Sequence, residues 1–195
     1  MIIGICGQSG SGKSYYANKL KLKLQSSSNG YSVIVINMDN FYKGISQYND
    51  SQLADLKKGT LNYDDPNIID IDGLINFIYN LHTHKKAIMP IYDFGLFDRL
   101  DEDKWITITG TYDVIIIEGI FAFYYEKLRR LYGMKIYMNT PDTLCLERRI
   151  NRNLKSRKGP QGNNVDFEMD YYKTYAYPSY KKYIEPLKKY ADVVL

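Results

Sequence analysis

The sequence predicts a three-layer α/β fold with a mainly parallel central sheet and helices on both faces. Three observations carry that prediction. Short apolar runs alternate with helical or mixed segments along the chain. Several of the runs, such as Val114-Ile115-Ile116-Ile117, are continuous rather than alternating, as expected of strands covered on both faces. The first run also leads into a glycine-rich stretch and then a helical pattern, giving a strand–loop–helix unit.

In chain order, strands are expected at Ile2–Cys6, Val33–Asn37, Ala87–Ile91, Val114–Ile117, Lys135–Met138 and Asp192–Leu195. The first helix follows Lys13, carries Ala17, Leu20 and Leu24 at helical spacing, and stops in the turn-forming run Ser26-Ser27-Ser28-Asn29-Gly30. A second helix is expected to start at Thr140-Pro141, an N-cap followed by a first-turn proline, and to run to about Leu154. Lys158 to Asn164 reads as a loop. Neither a repeat nor a linker interrupts the 195 residues, which implies a single domain over 1–195.

Composition narrows the function classes. A chain 45% hydrophobic and 25% charged is ordinary for a soluble protein, and no apolar run approaches the length of a membrane span. Met1 leads straight into Ile2-Ile3-Gly4-Ile5-Cys6, with no basic segment or cleavage site, so no secretion signal is expected. The two cysteines, Cys6 and Cys145, fit a reducing compartment and form no metal or disulfide pattern. A cytoplasmic location follows as an expectation. The net charge of +4 is mild and widely spread, which argues for a local group of arginines serving an anionic small ligand rather than for nucleic acid. The 20 tyrosines, beside many Lys and Asn, read as coding bias and not as an RNA-binding surface.

The strongest motif is Gly7-Gln8-Ser9-Gly10-Ser11-Gly12-Lys13-Ser14, a full Walker A pattern in the required context. Its glycines let successive backbone N–H groups turn inward onto phosphate oxygens, and the following helix adds its positive end. Lys13 would reach the β- and γ-phosphates of a nucleoside triphosphate, and the Ser14 hydroxyl would ligate Mg²⁺. Glu118, just after the apolar run at 114–117, is the carboxylate partner for that metal. Asp39, after the second expected strand, faces the same crevice, where it can accept the proton of an attacking hydroxyl and touch the metal.

From Asp39 onward the chain resembles the uridine kinase family. Asp39-Asn40-Phe41-Tyr42 is similar to that family's acceptor-site motif, Asn62-Tyr63-Asp64-Asp65-Pro66 to Asn-Phe-Asp-His-Pro, and Pro90-Ile91-Tyr92-Asp93-Phe94 to Pro-x-Tyr-Asp-Phe. Glu118-Gly119-Ile120-Phe121-Ala122-Phe123, the arginine-rich stretch Cys145 to Arg157 and the final Tyr190-Ala191-Asp192-Val193-Val194 continue the likeness over nearly the whole chain.

The resemblance implies ATP-dependent, Mg²⁺-assisted phosphorylation of the 5′-hydroxyl of uridine or cytidine, with an arginine-bearing lid and a small β-hairpin at the acceptor pocket. Asp39 would then be the general base, and Asp64 and Arg149 would hold the ribose hydroxyls. Tyr42, Tyr63, Tyr92 and Phe94 would wall the sugar and base. Arg152 and Arg157 would stabilise the transferring phosphoryl from the lid, while Arg148 reads as solvated. Arg149 and Arg152, one turn apart, can share a helix face.

The chain departs from the family at the base. Phe97 stands where the family has a base-reading His, Tyr171 where it has a Gln, and Arg157-Lys158-Gly159 replaces Arg-Gly-Arg. Both Phe97 and Tyr171 are thus candidate base contacts. The expected partners are ATP and a nucleoside, with no nucleic acid and no membrane, and the oligomeric state is open, a homo-oligomer included. Rival readings are a kinase for another hydroxyl acceptor, such as nicotinamide riboside, pantothenate or a phosphoribulose, and a non-catalytic nucleotide-binding regulator. His82-x-His84 lacks a third ligand and reads as a solvated turn, and Trp105 as part of a hairpin over the acceptor pocket.

Overall fold

The computed structural model describes residues 1–156 and 164–195. Its first elements are β1 (Ile2–Gly7), α1 (Lys13–Gln25), β2 (Val33–Asn37), α2 (Asp50–Lys58) and α3 (Ile71–His84). Four short strands follow: β3 (Lys86–Met89), β4 (Tyr92–Asp93), β5 (Asp98–Arg99) and β6 (Ile106–Thr109). Then come β7 (Val114–Glu118), α4 (Glu126–Arg129), β8 (Met134–Met138), α5 (Asp142–Ser156), α6 (Val165–Tyr171) and β9 (Val193–Val194). The chain beyond α6 continues helically, with π-wound stretches at Tyr172–Ala176 and Tyr180–Ile184.

Five strands form the middle layer in the order β2-β7-β1-β8-β9, and every neighbouring pair is parallel. β7 lies between β2 and β1, and all five of its residues are buried. Its side chains alternate between two cores. Val114 and Ile116 pack with Ile3, Ile5 and Ala17 beneath α1. Ile115 and Ile117 pack with Ile36, Phe121, Phe123 and the α3 residues Leu74 and Phe77. The expected helices on both faces are present.

Register fixes where the site can be. Ile5 of β1 and Asn37 of β2 both sit opposite Glu118 of β7. The loop after β1, the turn after β2 and the end of β7 therefore reach the same sheet edge. In an open parallel sheet that edge is where ligands bind.

Two local expectations are corrected. The strand expected at Ala87–Ile91 does not join the central sheet; β3 pairs antiparallel with β6, from Lys86 opposite Thr109 to Met89 opposite Ile106. Its residues alternate exposed and buried, the pattern of a half-covered antiparallel strand, and Pro90 ends it because it has no N–H for the ladder. Thr140 does not cap α5. The Cys145 amide bonds the Pro141 carbonyl, while the Thr140 hydroxyl donates to the Ser11 carbonyl at 2.9 Å and ties the helix start to the phosphate loop.

α2 and α3 go beyond the expected elements, and both have clear local causes. Asn49 and Gln52 form a reciprocal capping box at the start of α2, and Gly59 ends it with φ 70°. Asp70 caps α3 by accepting from the Gly73 amide at 2.9 Å, and Leu74, Phe77, Ile78 and Leu81 bury one face. No helix among the described residues is long and apolar enough to cross a membrane.

Candidate active site

The loop between β1 and α1 is curled by glycines. Gly10 has φ 86°, and a side chain there would stand 2.2 Å from the Cys145 carbonyl oxygen of α5. Gly12 has φ 92° immediately before Lys13, the first residue of α1. Lys13 is 7% exposed, and its Nζ donates to the Gln8 carbonyl at 2.9 Å. Burial lowers its pKa, opposed by the carboxylates of Glu118 and Asp39. The buried Ser11 Oγ and Gln8 Oε1 have no hydrogen-bond partner among the described residues, so the cradle holds polar atoms that those residues leave unsatisfied.

Ser14 Oγ donates to Glu118 Oε1 at 2.8 Å. Burial raises the Glu118 pKa; Lys13 counteracts this, and Asp39 adds to it. Asp39 lies on the 3₁₀ turn Met38–Phe41, whose entry is fixed by the Asn37 side chain accepting from the Asp39 amide at 2.8 Å. Hydroxyl and carboxylate oxygens of this kind suit a hard divalent cation. Among the described residues no group of three or more His, Cys, Asp and Glu gathers into a metal cage. Mg²⁺ needs none, since it is commonly held by one or two carboxylates together with substrate phosphates.

A single cavity of about 530 Å³ runs from this loop to Phe94 and Phe97 between β4 and β5. Lys13, Ser14, Asp39 and Glu118 line one part of it, and Tyr42, Tyr63, Asp64, Phe94, Phe97, Arg149, Arg152 and Tyr171 also line it. Tyr92 does not. It is 6% exposed and sits a layer behind, its ring 5.1 Å from Tyr42 and 5.0 Å from Phe94. Trp105 is likewise off the cavity, its indole donating to the Leu100 carbonyl. His82 and His84 occupy the exposed last turn of α3 and not a loop.

The β4–β5 hairpin carries Phe94 and Phe97. Asp93 Oδ1 accepts from the Gly95 and Leu96 amides inside its turn, and Phe97 adopts φ 55°, uncommon for a bulky residue. The Phe97 ring lies 5.0 Å from Tyr63. Arg99 anchors the hairpin by donating to the Tyr42 carbonyl at 2.7 Å and pairing with Asp70 at 3.1 Å.

Asp64 and Arg149 form a bidentate pair, with contacts of 3.2 and 3.1 Å, and both are buried. Burial works against the charge on Arg149, but the Asp64 carboxylate outweighs it and keeps the guanidinium ionised. The Tyr171 hydroxyl accepts from the Tyr63 amide at 2.9 Å. Arg152 reaches the phosphate loop, its Nη2 3.3 Å from Ser9 Oγ. Arg157, Lys158 and the expected loop through Asn163 lie outside the described residues; Asn164 caps α6.

Some lining residues carry no motif. Asn153, Phe167, Glu168 and Tyr175 face the cavity. Only the neighbourhood of Arg152 in the sequence points toward Asn153.

Fold and site together define a P-loop kinase. A parallel sheet places the Walker A loop, Glu118 and Asp39 at one edge, and the cavity continues past the rings of Tyr42, Tyr63, Phe94 and Phe97. The family model described as "Phosphoribulokinase / Uridine kinase family" matches residues 2–195, and the chain belongs to that family. It is 38% identical over its full length to the uridine kinase of Macrococcus caseolyticus (strain JCSC5402), covering 86% of that protein. It is 36% identical, again over its full length, to uridine-cytidine kinase A of Dictyostelium discoideum, of which it spans only 36%. Among solved structures, D-glycerate 3-kinase from Cryptococcus neoformans is similar in fold, with a TM-score of 0.72 at 18% identity over 96% of this chain and 80% of that one.

Proposed function

We propose that this protein transfers the γ-phosphoryl group of Mg²⁺-bound ATP to the 5′-hydroxyl of uridine or cytidine. The observation that carries the reading is the single cavity joining Lys13, Ser14, Glu118 and Asp39 to the buried Asp64–Arg149 pair and the rings of Tyr42, Tyr63, Phe94 and Phe97. The relatives named uridine kinase and uridine-cytidine kinase support it.

In this reading the 5′-oxygen attacks the γ-phosphorus, the bond to the β-bridging oxygen breaks, ADP leaves, and Asp39 takes the hydroxyl proton. Lys13 and Arg152 place positive charge on the transferring group, a role that the family resemblance extends to Arg157. Ser14 and Glu118, with Asp39, would hold Mg²⁺, which when bound neutralises donor phosphate charge. Asp64 and Arg149 offer an acceptor and a donor to the vicinal ribose hydroxyls. Tyr42, Tyr63, Phe94 and Phe97 stack on flat surfaces, and Tyr92 backs them.

The test is a substrate panel with ATP and Mg²⁺: uridine, cytidine, their 2′-deoxy forms, nicotinamide riboside, pantothenate and ribulose 5-phosphate. A 5′-monophosphate from uridine or cytidine, and weaker turnover of the deoxy forms, is expected. Turnover confined to a non-nucleoside acceptor, or none in single-turnover conditions, would reject the reading.

A further inference from the structure

We infer that Tyr171 and Glu168, one turn apart on α6, are positioning residues that hold the two α5 arginines, Tyr171 acting on the acceptor pair and Glu168 on the donor side. This rests on the nucleoside kinase reading only for what the acceptor is.

Arg149 and Arg152 are themselves one turn apart on α5, so each helix presents two residues at the same spacing. The first rung is aromatic. The Arg149 guanidinium carbon lies 5.5 Å from the Tyr171 ring centroid, and Asp64 takes its two terminal nitrogens. Among the described residues Arg149 Nε has no hydrogen-bond partner, and Asp64 and the Tyr171 ring are contacts that orient the fork. The Tyr171 hydroxyl also accepts from the Tyr63 amide, one residue before Asp64. One side chain thereby braces both the backbone carrying the carboxylate and the guanidinium it binds. Burial, with Asp64 beside it, raises the phenol well above its ordinary pKa and keeps it neutral.

The second rung is a polar chain. Glu168 Oε2 accepts from Asn153 Nδ2 at 2.7 Å, and Asn153 Oδ1 accepts from Arg152 Nε at 3.2 Å. Arg152 then reaches Ser9 in the phosphate loop. Asn153 is 7% exposed, and Glu168 fixes which way its amide faces. A carboxylate on α6 thus sets the direction of an arginine on α5.

The two rungs separate kinetically. Tyr171→Phe keeps the ring and removes the hydroxyl, so the acceptor KM should rise roughly tenfold, the usual consequence of one lost buried hydrogen bond, with the ATP KM unchanged. Glu168→Ala should instead lower kcat roughly tenfold at an unchanged acceptor KM, and Glu168→Gln, which retains an acceptor oxygen for Asn153, should restore most of it. The assay uses whichever acceptor the wild type turns over, so a failed nucleoside assignment leaves it intact. A second measurement needs no substrate: a urea-unfolding double-mutant cycle of Tyr171→Phe and Asp64→Asn should be non-additive. Additive stabilities, or Glu168→Ala and Tyr171→Phe changing the same kinetic constant, would overturn the inference.

Discussion

In the proposed reaction, Lys13 and Glu118 are buried charges that serve the chemistry at a cost to the resting fold. Glu118 has a pKa raised above its ordinary 4.5, chiefly by burial. Between 4.5 and the raised value the folded state binds more protons than the unfolded one, so stability falls as pH rises through that window. Glu118→Gln removes this dependence. In EDTA its Tm advantage over wild type should therefore grow from pH 4.5 upward, while Mg²⁺-dependent turnover is lost; a difference flat with pH would contradict it. Burial lowers the Lys13 pKa, and Lys13→Met should abolish phosphoryl transfer in a single-turnover assay while leaving the fold intact. Asp39→Asn should lower kcat by roughly 10²–10⁴-fold with a smaller change in nucleoside KM, as loss of a general base does; a change in KM alone would make Asp39 a binding residue. Lys13 was legible because the Walker A spacing is local, and Glu118 and Asp39 because each follows a short apolar run. The depth of Tyr92 and the positive φ of Phe97 were not, since neither follows from a linear pattern.

At the scale of elements, the acceptor hairpin is held less by its own two-residue strands than by Arg99. That side chain joins β5 to the Tyr42 carbonyl and to the Asp70 that caps α3. Arg99→Met should cost roughly 1–3 kcal/mol through the unpaired Asp70 and Tyr42 groups. It should also raise the acceptor KM more than it lowers kcat, which urea unfolding and steady-state kinetics would show. An unchanged acceptor KM would mean that the hairpin holds its place without the anchor. The Asp70 cap and the spacing of Leu74, Ile78 and Leu81 make α3 readable in retrospect. The pairing of β3 was harder to see, because a four-residue run does not reveal its partner.

Across the whole molecule, the central sheet couples stability to the site only through register. Ile116 is fully buried in the core beneath α1 and makes no part of the cavity. Ile116→Ala should destabilise by roughly 2–5 kcal/mol, read by urea unfolding, yet leave kcat near wild type well below the melting temperature. A large loss of kcat in the folded variant would show that the core tunes the chemistry directly. The parallel architecture itself was readable from continuous apolar runs such as 114–117. The side-by-side order of strands, which brings Asp39 to Glu118, comes only from tertiary pairing.

The alternation along β7 has a consequence for how such a chain tolerates changes of length. One residue gained or lost inside 114–117 would swap the side chains destined for the two cores and turn Glu118 from the crevice to the opposite face. Sliding the strand by one place could restore the carboxylate's position only by reversing every apolar residue before it. The exposed pair Gly110 and Thr111, ahead of the strand, carries no such parity constraint. Insertions and deletions in the lineage of this sequence would therefore accumulate in that turn and be purged from the strand a few residues later.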